Sequence, residues 1–372
     1  MSVYQYQIKR YHERNFNWVG SFYDFDCKYE DVTDLSTIVN NPFVSLYCLE
    51  HKSRQAIFVE TPKGVDLSKA PFYYQAQYKN AFRVFTVPFD TFNISAGYMP
   101  SINRPVFIYT TGRSGSTLLH HCFNKAESSV SLSEPDALIQ CLDYQNTTTE
   151  ACKKRELKKL ATSSIRFLFY PYRHQNPRVH VVKLRSHGLQ AMGFFQSKYS
   201  RAKNIFLYRS AFGFVASGLR VYQKLRRSPY TSFTAWKADY EHWDKTNYGS
   251  LSRYLGEDNE SFSLVHELTL RWIAAMEWFA AAVEAGIPAL SIRYDNLRDA
   301  QEDTLAQIFH YCGLPINNFE QILSVFKQDS QAGTNLSRPE GYSSFSLTPE
   351  AIYLVTSILS RHSFLDPEGI KI

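Results

Sequence analysis

Residues 104–126 read R-P-V-F-I-Y-T-T-G-R-S-G-S-T-L-L-H-H-C-F-N-K-A, and this stretch decides the fold. Pro105–Tyr109 is a short apolar strand. Thr111–Gly115 is a loop of small residues around one cation, Arg113. Ser116–Ala126 reads as a helix, with Leu118, Leu119, Cys122, Phe123 and Ala126 on one face. Strand, glycine-bearing turn and helix in that order suit a phosphate. The glycines let the backbone approach closely, and the helix start offers unpaired N–H groups and a positive dipole end. Ser116 and Thr117 add hydroxyls. An ordinary serine–glycine turn with an N-cap is the bland alternative; the apolar strand and the central arginine favour phosphate. The loop does not follow G-x-x-x-x-G-K-[ST], because Gly115 runs directly into Ser116 and Thr117 and the cation stands earlier. A G-x-S-x-G nucleophile elbow is excluded by Ser116 in place of glycine.

The same alternation continues outward. Val130–Leu132, Val179–Leu184, Asn204–Tyr208 and Ala289–Ile292 read as strands. Phe212–Leu225, Leu264–Ala285, Asp299–Tyr311 and Pro349–Ser360 read as helices. The expectation is an α/β fold, a parallel sheet flanked by helices, with its ligand at the carboxyl ends of the strands. Residues 1–101 differ in style. Phe43–Cys48, Ala56–Glu60 and Phe82–Val87 are short runs between turn residues, so this part reads as a β-rich accessory module ahead of a main domain at 102–372.

Composition agrees with a globular protein: of 372 residues, 44% are hydrophobic and 15% aromatic, which excludes a disordered or low-complexity chain. The net charge of +6 is unevenly spread. Leu157 to Ala238 contains no Asp or Glu but sixteen Lys and Arg, a block suited to a polyanion such as a nucleotide, a nucleic acid or an acidic glycan. No nucleic-acid-binding motif accompanies it. Cys27, Cys48, Cys122, Cys141, Cys152 and Cys312 form no CxxC pair and no zinc-ligand spacing, so free thiols and no metal are expected. The first residues hold no apolar signal core, and Ile273–Leu290 is interrupted by Glu277, Glu284, Gly286 and Pro288. A cytoplasmic protein without a membrane span is the expectation.

Arg113-Ser114-Gly115-Ser116-Thr117 resembles the [KR]-[ST]-G-[ST]-[ST] loop of the sulfotransferase superfamily. That family uses 3′-phosphoadenosine-5′-phosphosulfate (PAPS) and holds its 5′-phosphosulfate there. Arg209 closes one strand and Ser217 follows eight residues later, similar to the family's grip on the 3′-phosphate. Tyr294-Asp295-Asn296-Leu297, followed by a helix ending at Cys312-Gly313-Leu314-Pro315, resembles its Y-E-D-L segment, whose tyrosine lies near the adenine. These echoes run in the family's order over residues 104–315. The resemblance implies the P-loop-like sulfotransferase fold, PAPS as donor, 3′-phosphoadenosine-5′-phosphate (PAP) as product and no metal. It also implies a small-molecule acceptor hydroxyl or amine, such as a natural product, and Ser337-Arg338 closing over the 3′-phosphate.

Two residues are similar to the family's bases. Glu134, in Ser133-Glu134-Pro135, follows the second strand; its alternative is to cap the next helix. His187, in Arg185-Ser186-His187, is similar to a K-[ST]-H segment; its alternative is a partly exposed histidine in a basic loop. Lys183 is the alternative, as a contact to sulfate. The resemblance implies that Arg113 stabilises charge on the bridging oxygen and sulfate. A histidine base predicts a rate limb near its ordinary pKa, about 6.5, and a carboxylate predicts one lower. The competing classes are a P-loop nucleotide-dependent kinase and a non-enzymatic polyanion-binding protein.

Overall fold

The computed structural model describes residues 2–14, 18–146, 151–225, 230, 232–244, 249–255, 262–337 and 346–370. Two five-stranded sheets organise them. The first is antiparallel, built from β1 (Ser2–Tyr11), β2 (Phe25–Asp34), β3 (Val44–Glu50), β4 (Gln55–Glu60) and β5 (Arg83–Pro88) in the order β2-β1-β5-β4-β3. The second is parallel throughout. It contains β6 (Val106–Thr110), β7 (Ser129–Ser133), β8 (Val179–Lys183), β9 (Lys203–Tyr208) and β10 (Ala289–Arg293), in the order β10-β9-β6-β8-β7.

The parallel sheet is apolar on both faces, as helices on both sides require. Its period-2 alternation divides two cores. Val106, Ile108, Ile205 and Leu207 face one core with Leu119, Phe123 and Phe309. Phe107 and Phe206 face the other, where Phe107 stacks on Phe195 at 4.6 Å and Phe206 on Phe279 at 4.0 Å. That second core continues into the antiparallel sheet through Leu46, Phe58 and Phe85. The helix Ala151–Phe169 links the two: its Phe167 packs on Phe58 at 5.2 Å and stacks on Phe92 at 4.8 Å. The first hundred residues therefore share buried apolar surface with the main sheet.

The order places β6 at the centre, between β8 and β9, where connections leave toward opposite edges. Such a switch point opens a crevice beyond the carboxyl ends of the strands. No helix among the described residues is long and apolar enough to cross a membrane.

Candidate active site

Beyond Thr110 the chain turns through Thr111–Gly115 into the helix Ser116–Lys125. Gly112, Arg113 and Gly115 all have positive φ, at 88°, 56° and 81°. Gly115 is required twice: by this conformation, and because a Cβ would come within 2.9 Å of the Tyr294 ring. As N-cap it has no side chain to satisfy the first helical N–H groups, which suits an anion. Ser114 is fully buried. Its hydroxyl donates to the Leu207 carbonyl at 2.9 Å and lies 2.5 Å from Thr110 Oγ1, so this side chain ties the loop to β9.

The Arg113 guanidinium reaches two distant segments. Its Nε donates to Ser217 Oγ at 3.0 Å and its Nη1 to Gln331 Oε1 at 3.1 Å. Ser217 is buried on the helix Ala211–Leu225, and Arg220 Nη2 also donates to its hydroxyl at 3.4 Å. Arg209, just past β9, lies over the Tyr294 ring at 4.7 Å. It crosses Gly213, where a Cβ would come within 2.5 Å of its Nε. Trp272 Nε1 fixes the Arg209 carbonyl at 2.8 Å. Arg113, Arg209, Ser217 and Tyr294 thus come together. Arg338 lies outside the described residues; its neighbour Ser337 accepts a bond from Lys224 Nζ through its carbonyl at 2.7 Å.

Two ion pairs join the ends of β7 and β8. Glu134, with φ of 59°, pairs with the buried Lys183 Nζ, and its N–H donates to the Lys183 carbonyl at 2.7 Å. The next helix begins at Asp136, and Glu134 lines the cleft. Burial pulls the Lys183 pKa down, and Glu134 opposes that. Two residues further along each loop, Arg185 makes a fork to Asp136: Nε–Oδ1 is 2.9 Å and Nη2–Oδ2 is 3.0 Å. Arg185 Nη2 also donates to the Trp18 carbonyl at 2.9 Å, and Asp136 Oδ2 accepts the Gly20 N–H at 2.8 Å. Burial opposes the Arg185 charge, but Asp136 outweighs it and holds the guanidinium protonated.

His187 is buried in the short 3₁₀ segment Ser186–Ala191, not partly exposed. Burial, then the Arg185 and Arg271 charges, push its pKa down to about 3. It is therefore neutral at physiological pH, and a rate limb in the ordinary histidine range is not expected from it.

Arg113, Glu134, Lys183, His187, Arg209, Ser217 and Tyr294 line one cleft of about 380 Å³, which spans the ends of the five parallel strands. Its wall also includes Phe72, Tyr74 and Gln75, from the first turn of the helix Tyr73–Asn80 and the residue before it. Sequence reasoning singled out none of these three. They stand some forty positions before the phosphate loop, and no local pattern marks them. Asp136 was equally unmarked, since only its pairing with Arg185 gives it meaning.

No family model matches the chain, and no curated protein matches it. Among solved structures it is similar to the sulfotransferase domain from the curacin biosynthetic pathway, at 13% identity and a TM-score of 0.39, over 70% of this chain and 98% of that one. It is also similar to sulfotransferase STF1 from Mycobacterium tuberculosis H37Rv, at 14% identity and a TM-score of 0.40, over 74% and 82%. A third is mouse sulfotransferase SULT7A1 complexed with PAP, at 10% identity and a TM-score of 0.37, over 73% and 88%.

Proposed function

We propose that this chain is a sulfotransferase that moves the sulfuryl group of PAPS to a hydroxyl or amine of a small-molecule acceptor and releases PAP, without a metal. The observation that carries this reading is the meeting of Arg113, Arg209, Ser217 and Tyr294 around one cleft beside the Glu134–Lys183 pair.

The residues fit the donor. The uncapped helix start after Gly115, with the Ser116 and Thr117 hydroxyls, suits the 5′-phosphosulfate. Arg209 and Ser217 suit the 3′-phosphate, and the Tyr294 ring suits the adenine. Ser114 contributes through its backbone, because its hydroxyl is engaged inside the protein. PAPS supplies a sulfuryl group on a mixed anhydride, with PAP as leaving group.

Arg113 is the charge stabiliser: a permanently protonated fork already held in the cleft by Ser217 and Gln331. Glu134 takes the acceptor proton as the acceptor oxygen or nitrogen bonds to sulfur and the sulfur–oxygen bond to the phosphate breaks. Lys183 pairs with that carboxylate at the edge of the cleft. His187 is the second base, neutral but weak because of its burial.

Calorimetric titration distinguishes the classes. PAP without metal is expected to bind far better than ATP with Mg²⁺ or an oligonucleotide. Preferential binding of ATP with Mg²⁺ supports a kinase instead, and preferential binding of the oligonucleotide supports a polyanion-binding protein. The proposed site of action is the cytoplasm.

A further inference from the structure

The parallel sheet has a second charged end. Arg104 stands two residues before β6, and Arg178 one residue before β8. Lys198 ends the helix Met192–Lys198, and Arg201 and Lys203 follow it into β9. Lys125 ends the helix Ser116–Lys125, just ahead of β7. The turns into these strands are tied together: the Lys203 N–H donates to the Pro105 carbonyl at 3.0 Å and the Arg178 N–H to the Ser128 carbonyl at 2.7 Å. β9, β6, β8 and β7 are neighbours in that order at a spacing of about 4.8 Å, so the cations form a band about 15 Å wide. The strands are parallel, which puts this band at the opposite end from the cleft, and none of the six cations lines the cleft.

Arg104, Lys125, Arg178, Lys198 and Arg201 are exposed; Lys203 is half-buried, with its Nζ over the Tyr311 ring at 4.5 Å. Among the described residues no carboxylate pairs with any of the six. The turns that lead into these four strands hold one carboxylate, Glu127, and it accepts from Asn317 Nδ2 and Asn318 Nδ2 at 3.2 Å each. Toward the β10 edge the sign changes, with Glu284 exposed. The chain that enters Arg104 comes from the helix Phe89–Gly97, where Ile94 and Tyr98 stand one turn apart, 50% and 89% exposed. Arg166 Nη1 fixes that helix end through the Ala96 carbonyl at 2.7 Å.

Cations spread along the starts of four strands do not converge on one small anion; they face a broad one. A single-stranded nucleic acid is gripped by several aromatic platforms in a groove, and this rim offers one tyrosine. A lipid leaflet suits both features, because its negative surface draws basic side chains and its headgroup layer accepts a tyrosine and an isoleucine beside them. We propose that this end of the sheet is a docking surface for an anionic lipid membrane. Arg104, Lys125, Arg178, Lys198, Arg201 and Lys203 face the lipid phosphates, and Tyr98 and Ile94 enter the headgroup layer. The protein then lies on the membrane without crossing it, and the cleft opens away from the lipid. The docking is independent of the reaction that the cleft performs.

Sedimentation of the full chain with lipid vesicles tests this. Vesicles of phosphatidylcholine with about 30% phosphatidylserine are expected to retain the protein at low salt, while phosphatidylcholine alone does not, and about 0.5 M salt is expected to release it. Arg178→Glu with Arg201→Glu is expected to lower partitioning by about tenfold or more. Tyr98→Ser is expected to lower it about threefold. Melting temperature checks that the double variant is folded, and Arg178→Gln with Arg201→Gln replaces it if it is not. The sedimentation is repeated with a duplex oligonucleotide or polyglutamate added at the same concentration of charge as the lipid. Continued retention on the anionic vesicles supports the lipid assignment, and release by either competitor overturns it in favour of a nucleic acid or an acidic protein. Equal retention on both kinds of vesicle, no retention on the anionic ones, or unaltered partitioning of the folded double variant also overturns it. PAP binding reports on the cleft separately, so the docking surface and the sulfotransferase reading fail independently.

Discussion

The loops after β7 and β8 are joined twice, by Glu134–Lys183 at the cleft and by Asp136–Arg185 just beyond it. The chemistry is the same, a carboxylate facing a cation, yet the surroundings assign different work. Glu134 keeps contact with the cleft, and its side chain remains 14% exposed. Asp136 is completely buried, and the pair fastens the segment around Trp18 and Gly20 to the main sheet. A charge pair at the rim of a cleft is available to a substrate. One sealed behind it is a strut, whose cost in desolvation is tolerable only while both partners are present.

Breaking each pair separately sharpens this contrast. Glu134→Gln is expected to lower kcat by about 10²–10⁴ with little change in PAP affinity. Steady-state rates alongside calorimetry check it, and a near-normal kcat removes Glu134 as the base. His187→Ala, measured beside it, is expected to cost much less. Arg113→Ala is expected to lower kcat by about 10²–10³, more than it weakens PAP binding, with partial recovery in Arg113→Lys.

For the strut the expected effect is on stability. Asp136→Asn leaves the buried Arg185 charge without its partner and is expected to cost about 3–5 kcal/mol in urea unfolding. A loss below about 1 kcal/mol, the value of an exposed pair, contradicts the strut.

The smallest effect concerns acid. His187 has its pKa depressed to about 3 in the folded chain, against about 6.5 when unfolded. The unfolded state therefore takes up a proton that the folded state refuses as pH falls through about 6.5, and stability is lost in that direction. Between pH 7 and pH 5 the loss from this residue is about 2 kcal/mol. His120, fully buried, is shifted in the same direction by its burial and adds to it. His187→Gln is expected to flatten the stability curve over this range, and an unaltered curve rules the residue out as its source.

The parallel sheet was legible because its strands are apolar runs punctuated by turns; each differs from its expected span by only a residue or two. The antiparallel sheet was half legible. β3, β4 and β5 are compact apolar segments, but β1 and β2 were not recognised. β2 is an edge strand, FDCKYEDVTD, largely exposed and charged, as an edge that avoids pairing with other chains must be. The helix Ala151–Phe169 also escaped notice, its start crowded with lysines and arginine. In the site, glycines and strand-end arginines were readable because phosphate chemistry imposes them locally. By sequence Arg185 is similar to the lysine of a K-[ST]-H segment, whereas its fork to Asp136 spans 49 residues and leaves no local trace. The wall of Phe72 and Tyr74 is invisible for the same reason.

The central claim is that Arg209 and Ser217 read a 3′-phosphate beside the Arg113 loop. The most direct measurement compares PAP with 5′-AMP by calorimetry in the absence of metal, for the wild type and for Arg209→Ala. The account predicts a strong preference for PAP in the wild type and loss of most of it in the variant, about 1.5–3 kcal/mol for a charge-assisted contact. Equal affinity of the wild type for the two nucleotides would contradict it.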